Sequence, residues 1–149
     1  GERRDRDGEA RRQRQRGIRA RARLAGTIVE TEAYLGPHDD CAHSYKNRRT
    51  PRTEPMFAQA GTLYVYFTYG MHHCMNVVAG EVDQPVAVLI RALEPIEGQG
   101  VMASNRASPK RPAAKPKPTD LCSGSGKICP ALGVGRPLSG LGLVAQPRG

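Results

Sequence analysis

Residues 30 to 43 read ETEAYLGPHDDCAH. The β-branched run TIVETEAY predicts a strand, which puts Ile28, Glu30, Glu32 and Tyr34 on one face, and Gly36-Pro37 ends it ahead of His43. An acid on a mixed strand is most often solvated or salt-bridged. Glu32 has other company, with an aromatic on its own face and a histidine beyond a tight turn. A carboxylate beside aromatic surface is partly desolvated, a setting in which it can take a proton from water. The chemistry on offer is activation of a water nucleophile next to an aromatic-lined site.

Tyr34, Tyr64, Tyr66 and Tyr69 are four of the five tyrosines in a chain with only 5% aromatic residues. Packing is the commoner use of a strand tyrosine. In a basic protein such a cluster can also stack nucleobases, each contact contributing about 1–3 kcal/mol. His38, His43, His72 and His73 with the four cysteines fit no common zinc spacing, so no metal and no cofactor are expected. SGSGK at 123–127 falls short of a phosphate loop and lacks the strand before it; a helix-entry anion site built on backbone N–H groups is the most it implies. No G-x-S-x-G elbow points to a serine nucleophile.

The elements that must position these residues are few. GTLYVYFTYG is the clearest strand, with Thr62, Tyr64, Tyr66 and Thr68 on one face and Leu63, Val65, Phe67 and Tyr69 on the other. Gly70 turns the chain into MHHCMNVVA, a second strand of the pair, and GEVDQP makes the next turn. VAVLIRAL is apolar on both faces, the mark of a central, buried strand, yet it carries Arg91. A buried guanidinium needs a carboxylate, a set of carbonyls or a phosphate as partner. Residues 98–119 lapse into Gly, Ser, Pro and Lys and read as a cationic linker, with a helix beginning near Thr119-Asp120. Between Pro37 and Pro55 lies a long polar loop of the kind that is more often functional than idle.

The organisation expected is an Arg-rich flexible arm over 1–26, one domain over 27–135 with a mobile Pro/Lys-rich loop at about 105–119, and a Gly-rich tail over 136–149. The fold class is α+β, a single domain with a curved, mainly antiparallel sheet, few helices and long loops. Of the formal charge of +9, the first 26 residues hold a surplus of six, from ten Arg against four acids. Such segments associate with polyanions by counterion release, which makes nucleic acid a reasonable partner. No run of about 18 apolar residues exists and no signal peptide is evident, so an intracellular protein without membrane association is expected. The cysteines, with no C-x-x-C pair, are expected to be free thiols.

The stretch Gly26–Gly98 resembles the alkyladenine (3-methyladenine) DNA glycosylase family. The matching runs are GTIVETEAYLGP, AHS, TPR, MF, GTLYVY, YGM, CMN and LIRALEPIEG, with LCSGSGKICPAL at 121–132. The resemblance implies a metal-free DNA N-glycosylase that flips and hydrolytically excises alkylated or deaminated purines from duplex DNA, initiating base excision repair. It implies Glu32 as the general base, Tyr34, His43 and Tyr66 as the faces that hold the extruded base, and Asn76 as the residue that crowds a purine 2-amino group. Arg91 would help hold the lesion nucleotide and its water, and Tyr69 would enter the duplex. Met71, Ser123 and Lys127 are candidates for the DNA backbone. The expected partner is double-stranded DNA with damaged purines, bound by a monomer, in the cytoplasm or nucleoid of a bacterium or the nucleus of a eukaryote. The family pattern is departed from at both ends, where the Arg-rich arm replaces an initial helix and strand and where the chain stops soon after LCSG. A shortened homologue that only binds DNA, and a basic RNA-associated module driven by the arm, are the other readings.

Overall fold

The structure, a computed structural model, describes residues 22–68, 70–107 and 116–144. Most of the Arg-rich arm, the centre of the Pro/Lys-rich segment, Tyr69 and the last five residues lie outside the described residues.

Four strands form one antiparallel sheet: β1 (Ala25–Tyr34), β2 (Leu63–Thr68), β3 (His72–Val78) and β4 (Ala87–Glu97), in the order β1-β4-β3-β2. Two helices follow, α1 (Gln99–Arg106) and α2 (Ser125–Leu132), so the domain is α+β, and the sheet is not strongly curled. Strand β4 is central, as its apolar sequence predicts. The linker expected from residue 98 is corrected over its first part, where α1 runs from Gln99 to Arg106. Gly98 makes the entry with φ +78, a left-handed conformation that a side chain would strain. The buried Met102 then anchors α1 below the sheet.

Period-two alternation decides what each face of the sheet meets. One face packs on the helices: Ile90, Met75 and Val77 join Met102 of α1 and Ile128 of α2, while Leu63 and Val65 meet Cys129. Helix α2 starts at Ser125, within SGSG and just after Gly124, and stops at Gly133, whose φ of +70 lets the Val134 N–H return to the Cys129 carbonyl at 2.9 Å. Asn105 of α1 donates to the Ala131 carbonyl at 2.9 Å, and Arg106 donates to the carbonyls of Asp120 and Leu121. Both helices are thereby tied to each other and to the sheet. Past Leu138 the Gly-rich tail runs alongside β2, with Leu63 N–H on the Leu141 carbonyl (2.8 Å) and Gly140 N–H on the Leu63 carbonyl (2.7 Å). At the opposite edge β1 is largely exposed, including Ile28 and Val29. The cysteines are unpaired, Cys41 exposed and Cys74, Cys122 and Cys129 buried. Among the described residues no helix is long and apolar enough to cross a membrane.

Candidate active site

The other face of the sheet carries the residues singled out from sequence. Directly paired residues of neighbouring strands point to the same side, and the register pairs Glu32 with Leu89, Leu89 with Asn76, and Asn76 with Tyr64. Those four form one row across the sheet, from the Glu32 carboxylate at one end to the Tyr64 ring at the other. Two residues along β1 stands Tyr34, two along β2 stands Tyr66, and two along β4 stands Arg91. Seven positions separated by up to 59 residues in the chain are thus gathered by strand register alone.

Over this face folds the polar loop of residues 35–57. Gly36, at φ +92, opens the turn, and Asp39 closes it by accepting from Leu35 N–H (3.0 Å) and Cys41 N–H (3.0 Å). The buried Ser44 hydroxyl donates to the Pro85 carbonyl, and Met56 and Phe57 pack on Tyr64 and Ala87. Arg49 grips the loop from outside. It donates to both Glu54 oxygens (2.8 and 2.7 Å) and to Asp83 (2.8 Å), with its guanidinium over the Phe57 ring. Asp39, Asp40 and Cys41 bring potential metal ligands within 4.8 Å of one another, but the Asp39 carboxylate is engaged by the turn it makes.

This loop delivers His43 to the aromatic residues. Its Nδ1 lies 3.0 Å from the Tyr64 hydroxyl, and its ring meets Tyr66 edge to face with centroids 4.3 Å apart. Burial, and then the nearby Arg52 charge, hold the His43 pKa below its usual value, so the ring is neutral at neutral pH. Tyr34 is pushed up to about 12, first by burial and then by the neighbouring Glu32 carboxylate. Tyr66 is raised as well, chiefly by burial and then by Cys74. All of these rings are uncharged at neutral pH. Tyr34, His43, Met56, Tyr64, Tyr66 and Asn76 line a common pocket. Its cavity volume is about 10 Å³, room for about one water.

Arg91 differs from its sequence expectation: its side chain is 42% exposed, not buried. The reason is its neighbour, since β1 is an exposed edge strand and leaves that end of β4 open to solvent. The carboxylate partner expected for it is present twice. Nη1 donates to Glu32 Oε2 at 2.5 Å and Nε to Glu30 Oε1 at 3.2 Å. Asn76 is 1% exposed and donates from Nδ2 to the Tyr64 carbonyl at 3.3 Å, which fixes its amide at the pocket floor. Met71 is exposed at the turn between β2 and β3. Ser123 and Lys127 stand at the start of α2, where Lys127 Nζ donates to Asp120 (2.6 Å) and Ser123 (3.0 Å). The adjoining Gly126 leaves room for the ring of His72, 3.0 Å from where a Cβ would stand. The hairpin end and the SGSGK segment are therefore in contact.

Sequence reading left out Glu30, Met56 and Tyr64 as site residues. Glu30 and Tyr64 were within reach of it, being two residues from Glu32 and Tyr66 on the same strand faces. Nothing local marks Met56, which arrives through the loop.

The site thus sets a carboxylate held by an arginine beside a pocket of neutral aromatic rings. The model of the family Methylpurine-DNA glycosylase (MPG) matches residues 15–148, and the chain belongs to that family. The match begins inside the Arg-rich arm that the sequence reading set apart from the family. Proteins named "Putative 3-methyladenine DNA glycosylase" are similar to it: one from Francisella tularensis is 52% identical over 121 residues, 81% of this chain and 58% of that protein. Another from Bacillus cereus is 50% identical over 119 residues, and one from Natranaerobius thermophilus 47% over 119, each covering 80% of this chain and 58% of the relative. The chain thus spans somewhat more than half the length of the curated relatives it matches.

Proposed function

We propose that this chain carries the base-recognition and water-activating part of a DNA N-glycosylase that excises alkylated or deaminated purines, of the 3-methyladenine and hypoxanthine class, from duplex DNA. The observation that carries it is the Glu32–Leu89–Asn76–Tyr64 row, which puts a carboxylate at one end of the sheet face and an aromatic pocket at the other.

Chemistry on a base in a duplex requires extruding it, at a cost of a few kcal/mol that is least for damaged or mispaired bases. The extruded purine lies between Tyr34 on one side and His43 with Tyr66 on the other. The pocket between them has room for about one water, so a base enters as Tyr34 and the His43–Tyr66 pair part. N-alkylated purines are cationic, and neutral rings attract them by stacking and through the ring quadrupole. Asn76 at the pocket floor crowds a 2-amino group and so disfavours normal guanine. Glu32, aimed by Arg91, accepts a proton from the water that attacks the anomeric carbon; the C–N bond breaks and the purine leaves with the bond's electron pair. A cationic purine departs as the neutral base. Tyr69 enters the gap in the duplex, and Met71, Ser123 and Lys127 face the backbone from the hairpin turn and the start of α2.

Incubation of the chain with duplexes containing a single hypoxanthine or 3-methyladenine, followed by alkaline cleavage, tests the reading. Strand scission at the lesion is expected. Salt-sensitive binding with no abasic site formed would support the binding-only alternative.

A further inference from the structure

Two clefts flank the aromatic pocket, and Arg52 lines both. One, of about 450 Å³, shares His43 with the pocket and has Asp40 on its border. The other, of about 400 Å³, shares Tyr66 with the pocket, has Arg52 and Arg136 on its walls, and is lined by no acid. Of the ten Lys and Arg among the described residues, Arg23, Arg49, Arg91 and Lys127 sit in salt bridges. Among the described residues, neither Arg52 nor Arg136 has an acidic side chain within 4.0 Å.

Arg52 is also held in place. Its Nη2 donates to the Phe67 carbonyl at 3.1 Å and its guanidinium lies 5.9 Å from the Tyr66 ring centroid, while the next residue, Thr53, is buried and bonded within its turn. A planar donor fork fixed by one carbonyl keeps its other N–H groups for an acceptor. Ser139, on the same cleft, accepts the Val65 N–H through its oxygen at 3.1 Å, which leaves its hydroxyl proton to donate. Two uncompensated guanidinium groups and a hydroxyl around one open cleft form a receptor for a tetrahedral oxyanion.

We propose that Arg52, with Arg136 across the Tyr66-side cleft, holds backbone phosphates of the DNA strand whose base enters the aromatic pocket. This rests on the glycosylase reading, because the shared Tyr66 wall is what joins base site and phosphate site. Neither Ser123 nor Lys127 lines this cleft, and the Lys127 ammonium is already paired with Asp120.

The test is the salt dependence of binding to a hypoxanthine-containing duplex between 50 and 200 mM salt, for the parent, Arg52→Gln, Arg136→Gln, the double variant and Arg52→Lys. Each phosphate contact contributes about 0.9 to the log–log slope. Each Gln substitution should therefore reduce the affinity lost across that range by about 3.5-fold, and Arg52→Lys should retain the parent slope. Arg136→Gln alters an exposed side chain and keeps the test readable if Arg52→Gln does not fold. An unchanged slope in a folded Arg136→Gln variant, or in the double variant, overturns the proposal. Excision by the parent is scored alongside. A parent that binds with altered variant slopes yet excises nothing sinks the glycosylase reading alone, excision with unchanged slopes sinks the phosphate site alone, and a parent that does not bind DNA sinks both.

Discussion

Replacing Arg91 by alanine should separate positioning from stability. Its guanidinium spans two carboxylates, Glu32 at 2.5 Å and Glu30 at 3.2 Å, and all three side chains are 42–60% exposed. Ion pairs so open to water contribute little to folding, because solvent screens them and ordered side chains lose entropy. The urea midpoint should hardly move. The site is affected far more, since Glu32 loses the donor that aims it and faces Glu30 with no cation between them. A displacement of about 1 Å in a reacting group can cost about 10²-fold in rate. Single-turnover excision of hypoxanthine by Arg91→Ala should therefore fall about 10²-fold. Arg91→Lys keeps the charge but cannot span both acids, so its rate should fall between the two. Excision at the parental rate in Arg91→Ala would refute the reasoning, as would a large fall in urea midpoint that tracked the loss of activity.

Three further outcomes are expected. Because the folded His43 pKa is lowered, the unfolded chain protonates first as pH falls through the ordinary histidine range, so stability is full above that range and declines as pH falls, and below it protonation of His43 puts a positive charge in the pocket. Excision of a cationic lesion should then decline more steeply than that of hypoxanthine, measured as the ratio of the two rates between pH 7.5 and about 5.5; a constant ratio would count against His43 as a pocket face. Tyr64→Phe removes the hydroxyl that meets His43 at 3.0 Å and leaves a half-buried ring nitrogen unpaired, which should cost about 1–3 kcal/mol in urea unfolding; no change would mean that the bond is not formed in solution. Gly98→Ala meets both a positive φ and the Arg23 carbonyl at 2.7 Å from the added Cβ, so a loss of about 1–3 kcal/mol is expected by thermal unfolding, and an unchanged midpoint would contradict the β4–α1 geometry.

Strand pairing was legible because alternation is a local signal. Tyr64 and Tyr66 fall on one face and Leu63 and Val65 on the other, as the run LYVYF requires, and the doubly apolar VAVLIRAL lies in the centre of the sheet. The grouping of Glu32 and Tyr34 followed from the same period. Less could be read where a position depends on distant chain. Arg91 takes its exposure from the strand beside it, and α1 forms in a Gly- and Ser-containing stretch because Met102 finds a buried place beneath β4. The tail over Leu138–Leu143 owes its course to the edge of β2, and no pattern within the tail announces it. Glu30 gained a task only when register set Arg91 between two acids, and Arg52 became distinctive only when the cleft it shares with Arg136 proved to be lined by no acid.

The most direct measurement is excision by Glu32→Gln. Glutamine keeps the side-chain length and an amide oxygen that can still accept from Arg91, so the row across the sheet and the pocket should persist, and duplex binding should match the parent. What is lost is the ability to take a proton from water, a contribution of about 10²–10⁴-fold. Hypoxanthine released at a rate reduced by that factor, with binding unchanged, is the expected result; release at the parental rate would contradict the role given to Glu32.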